Sequence, residues 1–306
     1  MNLLKRRCVG FGRQVLLNGA FVGMAALFVV GKTALNVLVG ARPATAARSG
    51  LMGLAMYVLG AFVIHLLSEE RAIHNNDGGV ASRGSTNVYL ALALFSLIGV
   101  VLTWTVLHSI GSIGSGVPLW SGIRAAWEEW VRGLTASSPH FEGTGLIGFP
   151  NLLLYVALPA LVYVASRRSL PNVGGLKPAI PSMPFVILYI VAFCVVRGIS
   201  TTSLLTLFFV MLWPALGEEF LYRGILQNTL TDFFGNAVTG IVTTSFLFAA
   251  SHIPAYVIAG SGPVVLRWSA LLPVLLTSFF WGYGYHRTGV LWPWVFIHAA
   301  SNLVGF

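Results

Sequence analysis

VYLALALFSLIGVVLTWTVL, Val88–Leu107, is a run of twenty residues without a charged side chain and without alternation of polar and apolar positions. Twenty residues of α-helix rise about 30 Å, the thickness of a bilayer's hydrocarbon core. A second run, FVILYIVAFCVV at Phe185–Val196, has the same character. Transmembrane β-strands would alternate in polarity over about ten residues, so these runs argue for helices and against a barrel. The rest of the chain agrees. Of 306 residues 56% are hydrophobic and 9% charged, where a soluble domain carries about 25% charged residues. The expectation is an all-α, polytopic membrane protein.

Apolar blocks separated by polar breaks fall near residues 15–38, 49–67, 88–108, 146–166, 183–197, 202–230, 236–259, 267–285 and 290–306. One of these nine is expected to be half-length or re-entrant, which leaves about eight transmembrane helices. The net charge of +9 is spread over short polar segments between the blocks, so it is read as setting topology and not as a nucleic-acid surface. Lys5, Arg6, Arg7 and Arg13 precede the first block. This is the order of an uncleaved first helix, with a signal cleaved near Ala44–Ala47 as the alternative. A cytoplasmic N-terminus puts Arg71, Arg83, Arg167, Arg168 and Lys177 on the inner side, against Arg42, Arg48, Arg124 and Arg132 outside, and this suits a cell membrane. Lys32 can snorkel to the interface. Between the third and fourth blocks, Val117–Leu134 interleaves Trp120, Trp127 and Trp130 with Arg124, Glu128, Glu129 and Arg132, the pattern of an interfacial or solvated loop helix. Cys8 and Cys194 are too far apart in character and sequence for a disulfide framework. The Pro- and Gly-containing stretch Pro171–Pro184 divides N-terminal helices, residues 1–182, from a C-terminal core, residues 183–306.

Ionisable residues inside spanning helices are costly and point to function. They concentrate in the last third: Glu218, Glu219 and Arg223 in one block, His252 in the next, and His298 with Asn302 in the last. Glu219 and Arg223 are four apart and can neutralise each other on one helix face, while Glu218 is turned about 100° away and left for chemistry. His298 and Asn302 are likewise four apart and project together as donors. Taken singly, an intramembrane His can equally be a hydrogen-bonded packing residue. His65, His74, His108, His140 and His286, at helix ends or in loops, are read that way. A buried carboxylate holds its proton more tightly than an exposed one and can serve as a general base towards water, so Glu218 with His252 makes a hydrolytic pair and Asn302 with His298 an oxyanion-binding pair. Glu218, His252 and His298 are also a zinc ligand set, with water in the fourth position.

Glu218-Glu219-Phe220-Leu221-Tyr222-Arg223, Phe248-Ala249-Ala250-Ser251-His252 and His298-Ala299-Ala300-Ser301-Asn302 resemble, in this order, the EExxxR, FxxxH and HxxxN motifs of the CAAX-protease and bacteriocin-processing family. The resemblance spans about Pro184–Phe306. It implies a helical intramembrane endopeptidase acting on a protein or peptide, prenylated substrates included, with Glu218 and His252 activating water, His298 and Asn302 stabilising the oxyanion, and Glu219 and Arg223 supporting the first Glu. It favours a metal-free, glutamate-dependent mechanism with no cofactor over zinc. The reading from another class is a non-catalytic membrane protein, an immunity factor, scaffold or transporter subunit, that uses the same polar residues for binding or packing.

Overall fold

A computed structural model describes residues 3–68, 126, 129, 152–165, 170–253, 256–257 and 262–305, and contains helices but no strand among the described residues. In chain order the α-helices are α1 (Leu3–Phe11), α2 (Gly19–Leu38), α3 (Pro43–Leu67), α4 (Leu158–Ala165), α5 (Met183–Arg197), α6 (Thr201–Val210), α7 (Asn228–Phe234), α8 (Ala237–Ser251), α9 (Val264–Ser269), α10 (Leu271–Thr288) and α11 (Trp292–Val304). Between α6 and α7 the chain remains helical through Met211–Leu216, Gly217–Glu219 and Phe220–Gln227, with wider, π-type turns in the first and last of these. Among the described residues, five stretches are long and apolar enough to cross a membrane: Gly19–Leu38, Pro43–Leu67, Lys177–Arg197, Thr201–Phe234 and Val264–Thr288. Ala237–Ser251 is apolar but shorter. The protein is therefore an all-helical, multi-pass integral membrane protein.

Two compact units interleave along the chain: Met1–Leu90 with Leu226–Gly289, and Ala91–Ile225 with Val290–Phe306. In the first unit, Phe11, Phe21, Met24, Phe28, Ile241, Leu276 and Phe279 form a buried apolar core. Lipid is as apolar as these side chains, so the association of such helices rests on close packing and on interhelical hydrogen bonds of about 0.6 kcal/mol each. Several such bonds cross the unit. The Tyr57 and Thr277 hydroxyls lie 2.6 Å apart, and His65 Nδ1 lies 2.6 Å from the Tyr283 hydroxyl. Two helix starts are joined: Asn18 Oδ1 accepts from the Ala20 and Phe21 amides of α2, Asn236 Oδ1 accepts from the Thr239 amide of α8, and Asn18 Nδ2 donates to Asn236 Oδ1 at 3.2 Å. Each Asn thus satisfies amides that a helix start leaves without intrahelical partners. At the other end of α3, Arg287 donates to Ser68 Oγ and to the Ser68 carbonyl, and Arg7 donates to the Leu66 carbonyl.

In the second unit, α11 packs on α5 and on Met211–Leu216. The opposite face of α5 leaves Ile187, Leu188, Val191 and Val195 exposed, as suits lipid. The segment before α5 runs across the start of α11 as a strap. The Leu291 and Trp292 amides donate to the Asn172 and Val173 carbonyls, and the Trp292 indole donates to the Gly175 carbonyl, so backbone carbonyls in place of a side chain satisfy the free amides at this helix start.

The blocks read from sequence agree with α5 to the residue and with α2 and α11 to within a few residues, while the block 202–230 falls within the longer helical stretch Thr201–Phe234. Three differences have physical causes. Pro43 occupies the first turn of α3, where its missing N–H costs nothing, and starts that helix six residues early. The block 202–230 is interrupted at Trp213, and the block 236–259 ends as regular helix at Ser251 with His252 as its C-cap. α1 was not foreseen, because LLKRRCVGF is short and basic. The block 88–108 lies outside the described residues, as does the 117–134 helix apart from Ala126 and Glu129, which are helical and exposed.

Candidate functional site

Trp213-Pro214 decides where the two adjacent glutamates sit. Proline removes a backbone donor and collides with the preceding turn. Trp213 accordingly leaves helical geometry, with φ −147° and ψ 128°, and the helix restarts after it. Glu218 and Glu219 lie just beyond this break. Gly217, immediately before them, is required sterically: a Cβ there would lie 2.8 Å from the Trp213 ring and 3.2 Å from Tyr155 Cβ. Tyr155 and Trp213 meet edge-on at 4.9 Å, forming an aromatic wall beside the glutamates. On the far side of the motif, a Cβ at Gly224 would fall 2.6 Å from Pro171 of the strap.

Two carboxylates, a guanidinium and an imidazole of the second unit meet in one buried cluster. Glu219 and Arg223 are fully buried, with Glu219 Oε2 3.2 Å from Arg223 Nε. His298, 2% exposed, comes from α11 and donates from Nδ1 to Glu219 Oε1 at 2.9 Å. Its other ring nitrogen, Nε2, faces Glu218 Oε2 at 3.6 Å. This is too long for a direct hydrogen bond and short enough for one atom to be shared between them. Glu218 is the more accessible carboxylate, at 9% against 0% for Glu219. The expected pairing of Glu219 with Arg223 is present, but the partner that Glu219 orients is His298. One turn beyond His298, Asn302 is exposed, so the two residues of this spacing meet different surroundings.

His252 belongs to the first unit. It is half-buried, donates from Nδ1 to the Phe248 carbonyl at 2.8 Å and stacks obliquely on Phe248 with ring centroids 4.7 Å apart. The four-residue spacing of Phe248 and His252 therefore has two uses, a carbonyl that fixes the tautomer and a ring that fixes the plane. With Nδ1 donating, Nε2 is the nitrogen left to accept a proton or hold a water. Trp281 lies edge-on to Phe248 at 6.5 Å. His65, read from sequence as a packing histidine, is buried against Tyr283 and Phe11.

A zinc site needs three protein ligands and an open position. In the second unit, Glu218 and His298 supply two donors. The carboxylate behind His298 Nδ1 is the support that metal-bound histidines use, but two donors alone do not fit zinc. Among the described residues no group of three His, Cys, Asp or Glu side chains is arranged to hold a metal ion.

The sequence did not identify Tyr155 as a neighbour of Gly217 and Trp213, or Pro171 as a neighbour of Gly224. Trp-Pro within an apolar run was a readable sign of the break, whereas the strap's register against α11 had no sequence signal.

The fold and this cluster define a multi-pass membrane protein whose buried charge in the second unit is gathered around two adjacent carboxylates and a histidine. Residues 200–304, about a third of the chain, match the family model described as type II CAAX prenyl endopeptidase Rce1-like, which supports the resemblance to the CAAX proteases. The matched segment contains Glu218, Glu219, Arg223, His252, His298 and Asn302. That family is one of proteases, and the match supports reading this membrane protein as a protease. No curated protein and no solved structure matches the chain.

Proposed function

We propose that the protein is a glutamate-dependent intramembrane endopeptidase that hydrolyses a peptide bond in a membrane-associated protein or peptide, CAAX-type prenylated substrates included. Residues 183–306 are its catalytic core. The observation that carries this reading is the Glu219–His298–Glu218 arrangement inside the matched domain: one carboxylate orients the histidine through Nδ1 and the other faces its Nε2.

In the proposed reaction, Glu218 takes a proton from a water held by His252 Nε2, and the hydroxide adds to the scissile carbonyl carbon. The carbonyl oxygen becomes an oxyanion, which accepts hydrogen bonds from Asn302 Nδ2 and from Nε2 of His298 in its imidazolium form, Nδ1 still donating to Glu219. Glu218 then returns the proton to the leaving amine, the C–N bond breaks, and a carboxylate and an amine are released. General base catalysis contributes a factor of about 10² to 10⁴, and each oxyanion donor about 10² to 10³. Glu219 acts through His298. Arg223, in contact with Glu219, offsets its charge away from water. No step requires a serine or cysteine nucleophile or a metal; zinc held by Glu218, His252 and His298 is the rival mechanism.

The test is cleavage of a prenylated CAAX peptide and a small peptide library by detergent-purified wild type and Glu218→Gln, with and without a strong zinc chelator. Activity that vanishes in the variant and survives the chelator supports the reading. Loss with chelator moves the site to the metal class, and equal cleavage by both proteins overturns the role of Glu218. A folded wild type that cleaves nothing favours the non-catalytic reading.

A further inference from the structure

The basic N-terminal segment has no part in the hydrolytic site, yet it is built into the first unit. α1 is held at the end of a spanning helix: Arg7 donates to the Leu66 carbonyl in the last turn of α3, Phe11 is buried against Phe62, His65 and Tyr283, and the chain then turns through Gly12–Leu16 into the span α2. One end of α2 and one end of α3 thus fix α1 at the level where the spans leave the hydrocarbon. The remaining surface of this segment has two components. Lys5, Arg6 and Arg13 are exposed, with no ion pair engaging them among the described residues, and neither α1 nor the turn after it contains an acidic residue. Beside them Leu4, Val9, Leu16 and Leu17 are exposed at 40 to 78%.

Water is a poor solvent for those four apolar side chains, and the hydrocarbon interior is a poor one for the three cations. The headgroup boundary accommodates both, the apolar groups dipping into acyl chain and the cations lying among phosphates. We propose that α1 and the turn after it form a docking surface for anionic lipid headgroups in the leaflet at the N-terminal end of α2. A surface with three cations and no acid selects phosphates whose charge is not cancelled by an amine. Each cation near an anionic surface is expected to contribute about a fivefold preference at low salt.

Cys8, exposed on α1, is a ready probe. The full chain with Cys194→Ser, labelled at Cys8 with an environment-sensitive fluorophore, is reconstituted into bilayers of phosphatidylcholine with or without phosphatidylglycerol, and quenching by brominated forms of each lipid is compared. Stronger quenching by brominated phosphatidylglycerol is expected, weakening as salt is raised. In Lys5→Gln/Arg6→Gln/Arg13→Gln the preference should fall about fivefold per charge removed. Arg7 is left in place because it anchors the helix. Equal quenching by the two lipids, or a preference that survives the triple substitution, would overturn the proposal. An unfolding scan in detergent checks that the triple variant is folded. Arg13→Gln alone, outside α1, supplies a milder variant with the same expected direction should the triple one fail.

Discussion

The two units treat buried polarity differently. In the first, the polar contacts between helices are largely neutral: Tyr57 with Thr277, His65 with Tyr283, Asn18 with Asn236. Its buried Arg287 lies at a helix end, where it donates to a serine and a carbonyl. In the second, two carboxylates, a guanidinium and an imidazole lie in mutual contact with almost no exposure. Neutral hydrogen bonds of about 0.6 kcal/mol suffice to register helices in lipid. Removing ions from water costs several kcal/mol each, and well-packed apolar residues often replace a buried ion pair without loss of stability. Stability therefore does not account for the cluster. On the proposed function, the comparison separates neutral contacts that fasten helices from a charged cluster kept for chemistry.

The largest effect that could break this comparison is at Glu218. Glu218→Gln keeps the shape and removes the charge, so peptidase kcat should fall about 10²- to 10⁴-fold while the unfolding temperature in detergent stays near wild type. A collapse of folding with activity preserved per folded molecule would instead place Glu218 among the fasteners.

Glu219→Gln should cost both properties. It leaves Arg223 buried opposite a neutral partner, a loss of about 3–5 kcal/mol, and it loosens the hold on His298. Glu219→Met combined with Arg223→Met sharpens the point. The double variant is expected to regain most of the lost stability, measured by denaturant unfolding in detergent, and to remain inactive.

Smaller effects are expected in the first unit. Asn236→Ala removes the α8 cap and one partner of Asn18, and should destabilise by about 1 kcal/mol with kcat unchanged. Tyr57→Phe deletes a single neutral hydrogen bond and should shift stability by about 0.6 kcal/mol, again without kinetic consequence. A kinetic defect in either variant would mean that the division of labour between the units is wrong.

The helical membrane class was legible because solvent imposes it: long uncharged runs have few other stable forms. The buried cluster of Glu218, Glu219, Arg223 and His298 was legible because charge inside such runs stands out. The sequence also predicted that Glu219 would meet Arg223, since four-residue spacing acts within one helix. That Glu219 would orient His298 was not readable, because it depends on how α11 lies against a helix interrupted at Trp213. Asn302, equivalent to His298 by spacing, is exposed where His298 is buried, because burial depends on neighbours that periodicity does not specify. α1 was hidden for the opposite reason: three consecutive cations interrupt its apolar pattern.

The close approaches at Gly217 and Gly224 have a genetic consequence. Every other amino acid begins with a Cβ, so these two positions are closed by volume, whereas Glu218 between them is, on the proposed function, fixed by reactivity. The two kinds of lesion differ in what can suppress them. Pro171→Gly removes the ring that a new side chain at 224 would strike and should act as an allele-specific suppressor of Gly224→Ala. A second-site change of that kind makes room but restores no carboxylate, so Glu218→Gln should remain inactive in the same background. In a mutagenised library spanning residues 217–224, revertants of the first class would trace the walls of the site, and the positions that never revert would trace its chemistry.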